Sequence, residues 1–288
     1  MSKIIFGWFG KNNLGDDILL KAYLSLNPSN NKILTFGNDN VKIGLSNNYI
    51  YCRNRFIFYL KFFIAVFKGN QIVFAGGSVF RAVSFSTKIT LSVKIFLIFI
   101  SKLLDKNIEL YSVSIGPANS FLIYLLSKLL SKKDKIMLRD SHSKELLLNN
   151  NKNLKVDVIE DSSSIISYPK KTVTLGKSLI ALNLSGSFQH TNFKEKFDEG
   201  IILVSLCENK EISDKNKVLT YAKKNNIKII DQILYDGDIN KFFLKLSKID
   251  FLYAERLHAC LIAKHMNILY EPIGTSDKVK RFIKEGLL

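Results

Sequence analysis

The 288-residue sequence predicts an α/β fold built on parallel sheets, and three observations carry that class. Short β-branched or aromatic runs alternate with longer stretches of helical period along the chain. Most of these runs are apolar throughout, as strands covered on both faces must be. The alternation pauses once, in a polar stretch near Asp161–Lys177 holding Pro169 and Gly176, and then resumes. The reading is two Rossmann-like domains, 1–167 and 168–288, their parallel sheets facing across a cleft.

In the first domain, Lys3–Trp8, Gln71–Ala75, Ile108–Val113 and Lys135–Leu138 are the expected buried strands. Helical period places helices between them at Asp16–Leu26, Arg53–Lys68, Thr87–Asp105 and Ser120–Ser131, with a shorter one at Ser141–Asn149. In the second domain, strands are expected at Leu179–Leu184, Gly200–Leu206, Ile227–Ile230, Phe251–Ala254 and Ile268–Tyr270. Helices fit at Lys215–Asn225, Asp238–Ser247, Leu257–His265 and Asp277–Glu285. In open sheets of this kind ligands bind outside the carboxyl ends of the strands.

Composition narrows the function. A chain 47% hydrophobic and 23% charged carries enough apolar material for a core and too much for disorder. Cys52, Cys207 and Cys260 are three and far apart, which excludes a disulfide scaffold. With no paired cysteines and four histidines, no metal-site spacing exists. The 42 Lys+Arg against 25 Asp+Glu give +17, and only six of the basic residues are Arg. Lys, Asn and Ile crowd the chain together, as AT-rich coding would produce, so most of this charge is read as surface drift. Against that background a retained Arg points to a need for the planar fork that Lys lacks. Nucleic-acid binding is set aside, because Lys is spread through every segment and not clustered with aromatics on one face.

No targeting signal opens the sequence, which begins as a strand. The apolar segments Phe56–Phe67 and Ile89–Leu104 are too short or too interrupted by Lys61, Lys94 and Lys102 to span a bilayer, which takes about 20 residues. They are expected to be buried amphipathic helices, or else interfacial helices with their basic residues toward lipid headgroups.

Candidate chemistry gathers where strands end. The first strand runs into Gly7-Trp8-Phe9-Gly10 and on through Asn13-Leu14-Gly15-Asp16-Asp17 to a helix, a place for close ligand approach or simply a turn capped by Asp16. Gly76-Gly77-Ser78 and Ser114-Ile115-Gly116-Pro117 are further glycine turns in equivalent places. Arg139-Asp140 follows the fourth strand, where the alternative is a local ion pair with Asp140 or Ser141 capping the next helix. In the second domain Arg256-Leu257-His258 stands at a strand-to-helix junction, and Gly274-Thr275-Ser276-Asp277-Lys278 opens the last helix. His258 in a first helical turn sits where backbone N–H groups attract anions. His190 and His265 are read as surface or structural, and His142 is assigned no role. Arg139, Arg256, His258 and Lys278 together suit a small ligand with several negative charges.

These motifs, in this order, resemble the polysaccharide pyruvyltransferase family from residue 3 to the C-terminus. The carrying residues are Gly7-Trp8-Phe9-Gly10, Asn13-Leu14-Gly15-Asp16-Asp17, Gly76-Gly77-Ser78, Ser114-Ile115-Gly116-Pro117, Arg139-Asp140 with Ser143, Arg256-Leu257-His258 and Asp277-Lys278-Val279. Ala75 and Ala82 depart from it, standing where many members carry a glycine and an acidic residue. The resemblance implies a GT-B-like pair of domains, with no cofactor and with phosphoenolpyruvate as donor substrate. Pyruvate would pass to two hydroxyls of a sugar in a bacterial surface polysaccharide or its lipid-linked oligosaccharide precursor, giving a cyclic ketal.

By motif position Arg139, His258 and Lys278 are the implied donor contacts, with Arg256 in support. Asn13, Gly15, Asp17, Gly76, Gly77, Ser78, Gly116 and Ser276 complete the implied substrate-binding set. Chemistry makes His258 the candidate general acid, Arg139 and Lys278 the groups that offset charge on departing phosphate, and Asp16 or Asp17 a proton acceptor. A cytoplasmic enzyme is expected, with peripheral contact at the inner face of the membrane through Arg53–Lys68 and Thr87–Asp105. The rival is a nucleotide-sugar glycosyltransferase of the same architecture, for which Glu255 or Glu271 would hold the ribose.

Overall fold

The computed structural model describes residues 3–28, 31–36, 48–52, 54–172, 178–185, 197, 199–208, 213–274 and 276–288. Arg53, His190 and Thr275, and part of the expected linker, lie outside them. Two compact units divide the chain, Met1–Gly10 with Asp16–Ser162, and Lys11–Gly15 with Ser163–Leu288.

The first unit runs β1 (Lys3–Phe6), α1 (Leu14–Leu26), β2 (Asn31–Phe36), β3 (Asn48–Cys52), α2 (Arg55–Lys68), β4 (Gln71–Phe80) and α3 (Phe85–Leu103). It continues through β5 (Asn107–Ile115), α4 (Ser120–Leu129), β6 (Lys135–Leu138), α5 (Ser141–Leu148) and β7 (Val156–Val158). The seven strands are parallel, in the order β3-β2-β1-β4-β5-β6-β7. The reversal of direction between β1 and β4 puts α1 on one face and α2 to α5 on the other.

Each face has its own core. Leu20, Tyr23 and Leu24 of α1 pack on Ile5, Ile33 and Val73. On the other face Phe6 meets Phe58, Phe62 and Phe74 at ring-centroid distances of 5.0, 4.6 and 5.2 Å. Each such ring withdrawn from water contributes about 1.5–3 kcal/mol. Side chains close the helix starts: Asn54 accepts from the Ile57 N–H, and Ser84 and Thr87 form a reciprocal capping box.

The second unit runs β8 (Ile180–Asn183), β9 (Ile201–Ser205), α6 (Asp214–Lys224), β10 (Ile229–Leu234) and α7 (Ile239–Leu246). Then come β11 (Phe251–Ala254), α8 (Leu257–His265), β12 (Leu269–Pro272) and α9 (Asp277–Lys284). Its parallel sheet is ordered β10-β9-β8-β11-β12. All three cysteines are buried thiols.

Three differences from the sequence reading matter for the site. The strand expected at Gln71–Ala75 continues to Phe80, so Gly76 and Gly77 lie inside β4 and not in a turn after it. They take φ of +64° and +72°, and the ladder with β5 shifts register just beyond them, between Gly77 and Phe80. Helix α1 begins at Leu14, so Asp16 is in its first turn and is not the cap. Strands β2, β3 and β7 add three members to the four expected. No helix among the described residues is long and apolar enough to cross a membrane.

Candidate active site

In the first unit, the carboxyl ends of β1, β4 and β5 lie side by side and carry the glycine segments. Gly10 takes φ +75° and donates its N–H to Asp17 Oδ1 at 2.9 Å. Asp17 is 1% exposed, so its carboxylate closes this turn from below. Asp16 lies over Gly77, where an added Cβ would meet its Oδ1 at 2.7 Å. Gly76 is pressed against Leu19 of α1, where an added Cβ would lie 2.4 Å from the Leu19 Cβ. Gly76 is therefore required twice, by positive φ and by space, and Gly77 by its positive φ. Gly116 takes φ +79°, and its N–H bonds the Phe80 carbonyl at 3.1 Å.

Arg139 has the largest fully buried side chain of this unit. Its Nη1 pairs with Asp161 at 3.1 Å, its Nε donates to Ser114 Oγ at 2.6 Å, and its Nη2 to Ser78 Oγ at 3.4 Å. The guanidinium is 0% exposed, and its donors turn inward to β4, β5 and the loop after β7. The Asp140 carboxylate caps α5, accepting from the Ser143 N–H and hydroxyl, and takes a 2.7 Å bond from Ser114. The Ser143 hydroxyl in turn accepts the Ile115 N–H at 2.8 Å. Arg139, Asp140 and Ser143 thus lock the ends of β5 and β6 together. His142 is exposed, and His265 stacks on Tyr168.

The second unit gathers the remaining motifs at one edge. Its Lys11–Gly15 segment lies against the end of β9: Asn13 bridges Cys207, Leu14 N–H bonds Leu206 O at 2.9 Å, and Glu208 N–H bonds Asn12 O at 3.0 Å. Gly15 then faces α8 so closely that an added Cβ would meet His258 Nδ1 at 2.2 Å. The absent side chain leaves room for the imidazole.

Arg256 occupies the cap position of α8 and is anchored by Asp214, with Nε and Nη2 each at 2.7 Å from a carboxylate oxygen. Asp214 also accepts from Asn183 Nδ2 and from the Leu206 and Cys207 amides. Its 0% exposure pushes its pKa upward through desolvation, against which the Arg256 bond pulls down. Sequence reasoning missed this hub, because Asp214 read as nothing more than the residue before a helix.

Helix starts elsewhere are closed by their own cap side chains, in α2 to α7 and in α9. Helix α8 has no side-chain cap, since a guanidinium offers no acceptor. Its first-turn N–H groups are therefore left to something other than Arg256. Gly274 brings the next helix alongside: an added Cβ there would meet the Glu255 carbonyl at 2.5 Å. Ser276 caps α9 by accepting the Val279 N–H, and half-buried Lys278 stands in its first turn. Glu255 is 2% exposed and accepts the Ser185 N–H.

The fold and this edge define an α/β protein whose second sheet ends beside Arg256, Lys278 and a helix start without a side-chain cap. A family model for polysaccharide pyruvyl transferase matches residues 13–268, and the chain belongs to that family. It is thus a transferase of polysaccharide biosynthesis, acting toward a sugar or polysaccharide acceptor. A comparison with curated proteins returns no match. Among solved structures, Anabaena Alr3699/HepE in complex with UDP and glucose is similar at TM-score 0.54 and 8% identity, over 100% of this chain and 91% of that one. A glycosyltransferase from Rickettsia africae is similar at TM-score 0.52 and 11% identity, over 96% and 80%. At these identities the likeness is one of fold.

Proposed function

We propose that this enzyme moves pyruvate from phosphoenolpyruvate onto two hydroxyls of one sugar, in a bacterial surface polysaccharide or its lipid-linked precursor, and closes a cyclic ketal. The observation that supports it most is the uncapped start of α8, with Arg256 at the cap and His258 in the first turn. Phosphoenolpyruvate bears its phosphate ester and its carboxylate on one carbon, so a donor site needs N–H donors and cations converging from two directions. In this reading helix α8 would supply one direction, and Lys278 in the first turn of α9 the other.

In this reading His258 protonates the methylene carbon, leaving an oxocarbenium centre on the neighbouring carbon. One sugar hydroxyl adds there and loses its proton, the C–O bond to phosphate breaks, and the second hydroxyl closes the ring. Of the two hydroxyl protons, one replaces the proton His258 gave and the other leaves with phosphate. Lys278 and the α8 amides offset the charge on the departing group. Asp16 is the proposed proton acceptor for the attacking hydroxyl. Arg139 acts as a positioning residue through Ser78.

Phosphate release from phosphoenolpyruvate with a panel of sugar acceptors tests the reading. His258→Ala should lower turnover by about 10²–10⁴-fold at an unchanged melting temperature. Gly15→Ala keeps the imidazole but displaces it, and should cost kcat as well. Near-normal turnover in His258→Ala removes the acid from this residue. Thermal stabilisation by nucleotide sugars, with none by phosphoenolpyruvate, favours the glycosyltransferase, although Glu255 is already committed to the Ser185 amide.

A further inference from the structure

The layer of α2, α3 and α4 is apolar on both its sides. Toward the sheet, Phe58, Phe62, Leu91, Ile98 and Leu126 are buried, as any core-facing helix requires. The outward side should then be polar, and it is not. Phe56 and Phe67 of α2 are 77% and 53% exposed, Phe85 and Phe96 of α3 are 80% and 54%, and Phe121 of α4 is 62%. In α3 the exposed apolar positions recur at 85, 89, 96, 99 and 103, and in α2 at 56, 60, 63, 64 and 67. Those are helical spacings, so each helix presents a continuous apolar stripe away from its own core. The three helices pack in sequence on one face of the sheet, which sets the stripes next to one another. An unpartnered surface of this kind marks an interaction site.

Its charge identifies the partner. Not one Asp or Glu occurs in Arg55–Lys68, Phe85–Leu103 or Ser120–Leu129, while Arg or Lys appears in all three. Lys68, Lys88 and Lys128 are exposed beside the phenylalanines. A second copy docking by the same face would set cations of one sign against each other. Phenylalanine stripes edged by lysine and free of acid match a bilayer surface, rings at the acyl boundary and ammonium groups among anionic headgroups. No described helix can cross a bilayer, so such contact is interfacial.

We infer that the outer face of α2, α3 and α4 seats the enzyme on an anionic lipid membrane. The inference stands on this face alone and does not depend on the identity of the donor. Its test is co-flotation of the full chain with vesicles of phosphatidylcholine, with and without phosphatidylglycerol. Binding should appear with phosphatidylglycerol and weaken as salt is raised. The pair Phe85→Glu and Phe96→Glu should lower the bound fraction by about tenfold or more, with melting temperature and turnover of a soluble acceptor unchanged. No flotation with phosphatidylglycerol vesicles, or equal flotation of the double variant, overturns the proposal. So does a dimer in light scattering that the double variant converts to monomer, which assigns the face to a second copy. Loss of turnover in the wild type with flotation intact would instead count against the pyruvyl reading.

Discussion

Lys94 is a buried ionisable residue of the first unit. It projects from α3 into the core, 2% exposed, with its ammonium donating to the Val79 carbonyl at 2.5 Å and lying 5.2 Å from the Trp8 ring. Burial lowers its pKa from 10.5 to about 7, and the Asp16 charge pulls partly the other way. The sign follows directly. Between pH 7 and 10.5 the unfolded chain holds a proton that the folded one has released, so stability rises with pH through that window. Below the window, charging Lys94 costs the fold on the order of a few kcal/mol. Lys94→Met should therefore melt higher than wild type near pH 6, and the advantage should shrink by about pH 9.5. A difference in melting temperature that stays constant across pH would show that Lys94 does not titrate in this range. Its burial was legible in principle, since 94 falls on the same helical stripe as the buried 91, 95, 98 and 101. Read as the break in an apolar segment, it was offered to lipid headgroups as the alternative to burial, and the structure buries it. Arg139 was harder. Its carboxylate partner Asp161 lies 22 residues on, beyond another strand, and in a stretch that read as linker.

At the scale of elements, α8 sets two rules against each other. A helix start gains about 1 kcal/mol from a Ser or Asp cap, and Arg256 forgoes it. What Arg256 supplies instead is neutralisation of Asp214, which has 0% side-chain exposure. Removing one partner of a buried pair costs about 3–5 kcal/mol, so the pair outweighs the cap. Arg256→Ser should thus lower the unfolding free energy by roughly 2–4 kcal/mol in spite of the better cap. Adding Asp214→Asn should restore most of that stability in urea titrations while turnover stays lost, because the new cap occupies the α8 amides. If Arg256→Ser alone is neutral or stabilising, Asp214 is not charged in the folded state.

The strand–helix alternation around this motif was plain in the sequence, with Phe251–Ala254 and Leu257–His265 expected where they occur. The strands β2, β3 and β7 were not. Asn31–Phe36 and Asn48–Cys52 are short and each opens on Asn, and Val156–Val158 is a three-residue edge strand. Their pairing partners, not their composition, make them strands. The same holds for β4, whose two glycines read as its end and instead stay paired with β5, the register shifting only beyond them, between Gly77 and Phe80.

For the molecule as a whole, the two sheets repeat one device. Strand order reverses between β1 and β4 in the first unit and between β8 and β11 in the second, and each reversal opens a crevice at the carboxyl ends. The first crevice carries glycines and Asp16, and the Arg139 and Lys94 side chains near it are buried. The second carries Arg256 and His258, with Lys278 on the neighbouring helix. An anionic donor should therefore be held by the second unit, including Lys11–Gly15, which belongs to it despite lying early in the chain. Hydrogen exchange on the intact protein can test this division. Phosphoenolpyruvate alone should slow exchange at the starts of α8 and α9 and in Lys11–Gly15, where backbone amides meet either the donor or the groups that frame it. The amides of Gly76–Ser78 and of α2 to α4 should exchange as in the free protein. Adding a sugar acceptor should then extend protection to Gly76–Ser78. Protection at Gly76–Ser78 by phosphoenolpyruvate alone, with none at α8, would move the donor to the first unit and leave the cations of the second without their assigned role.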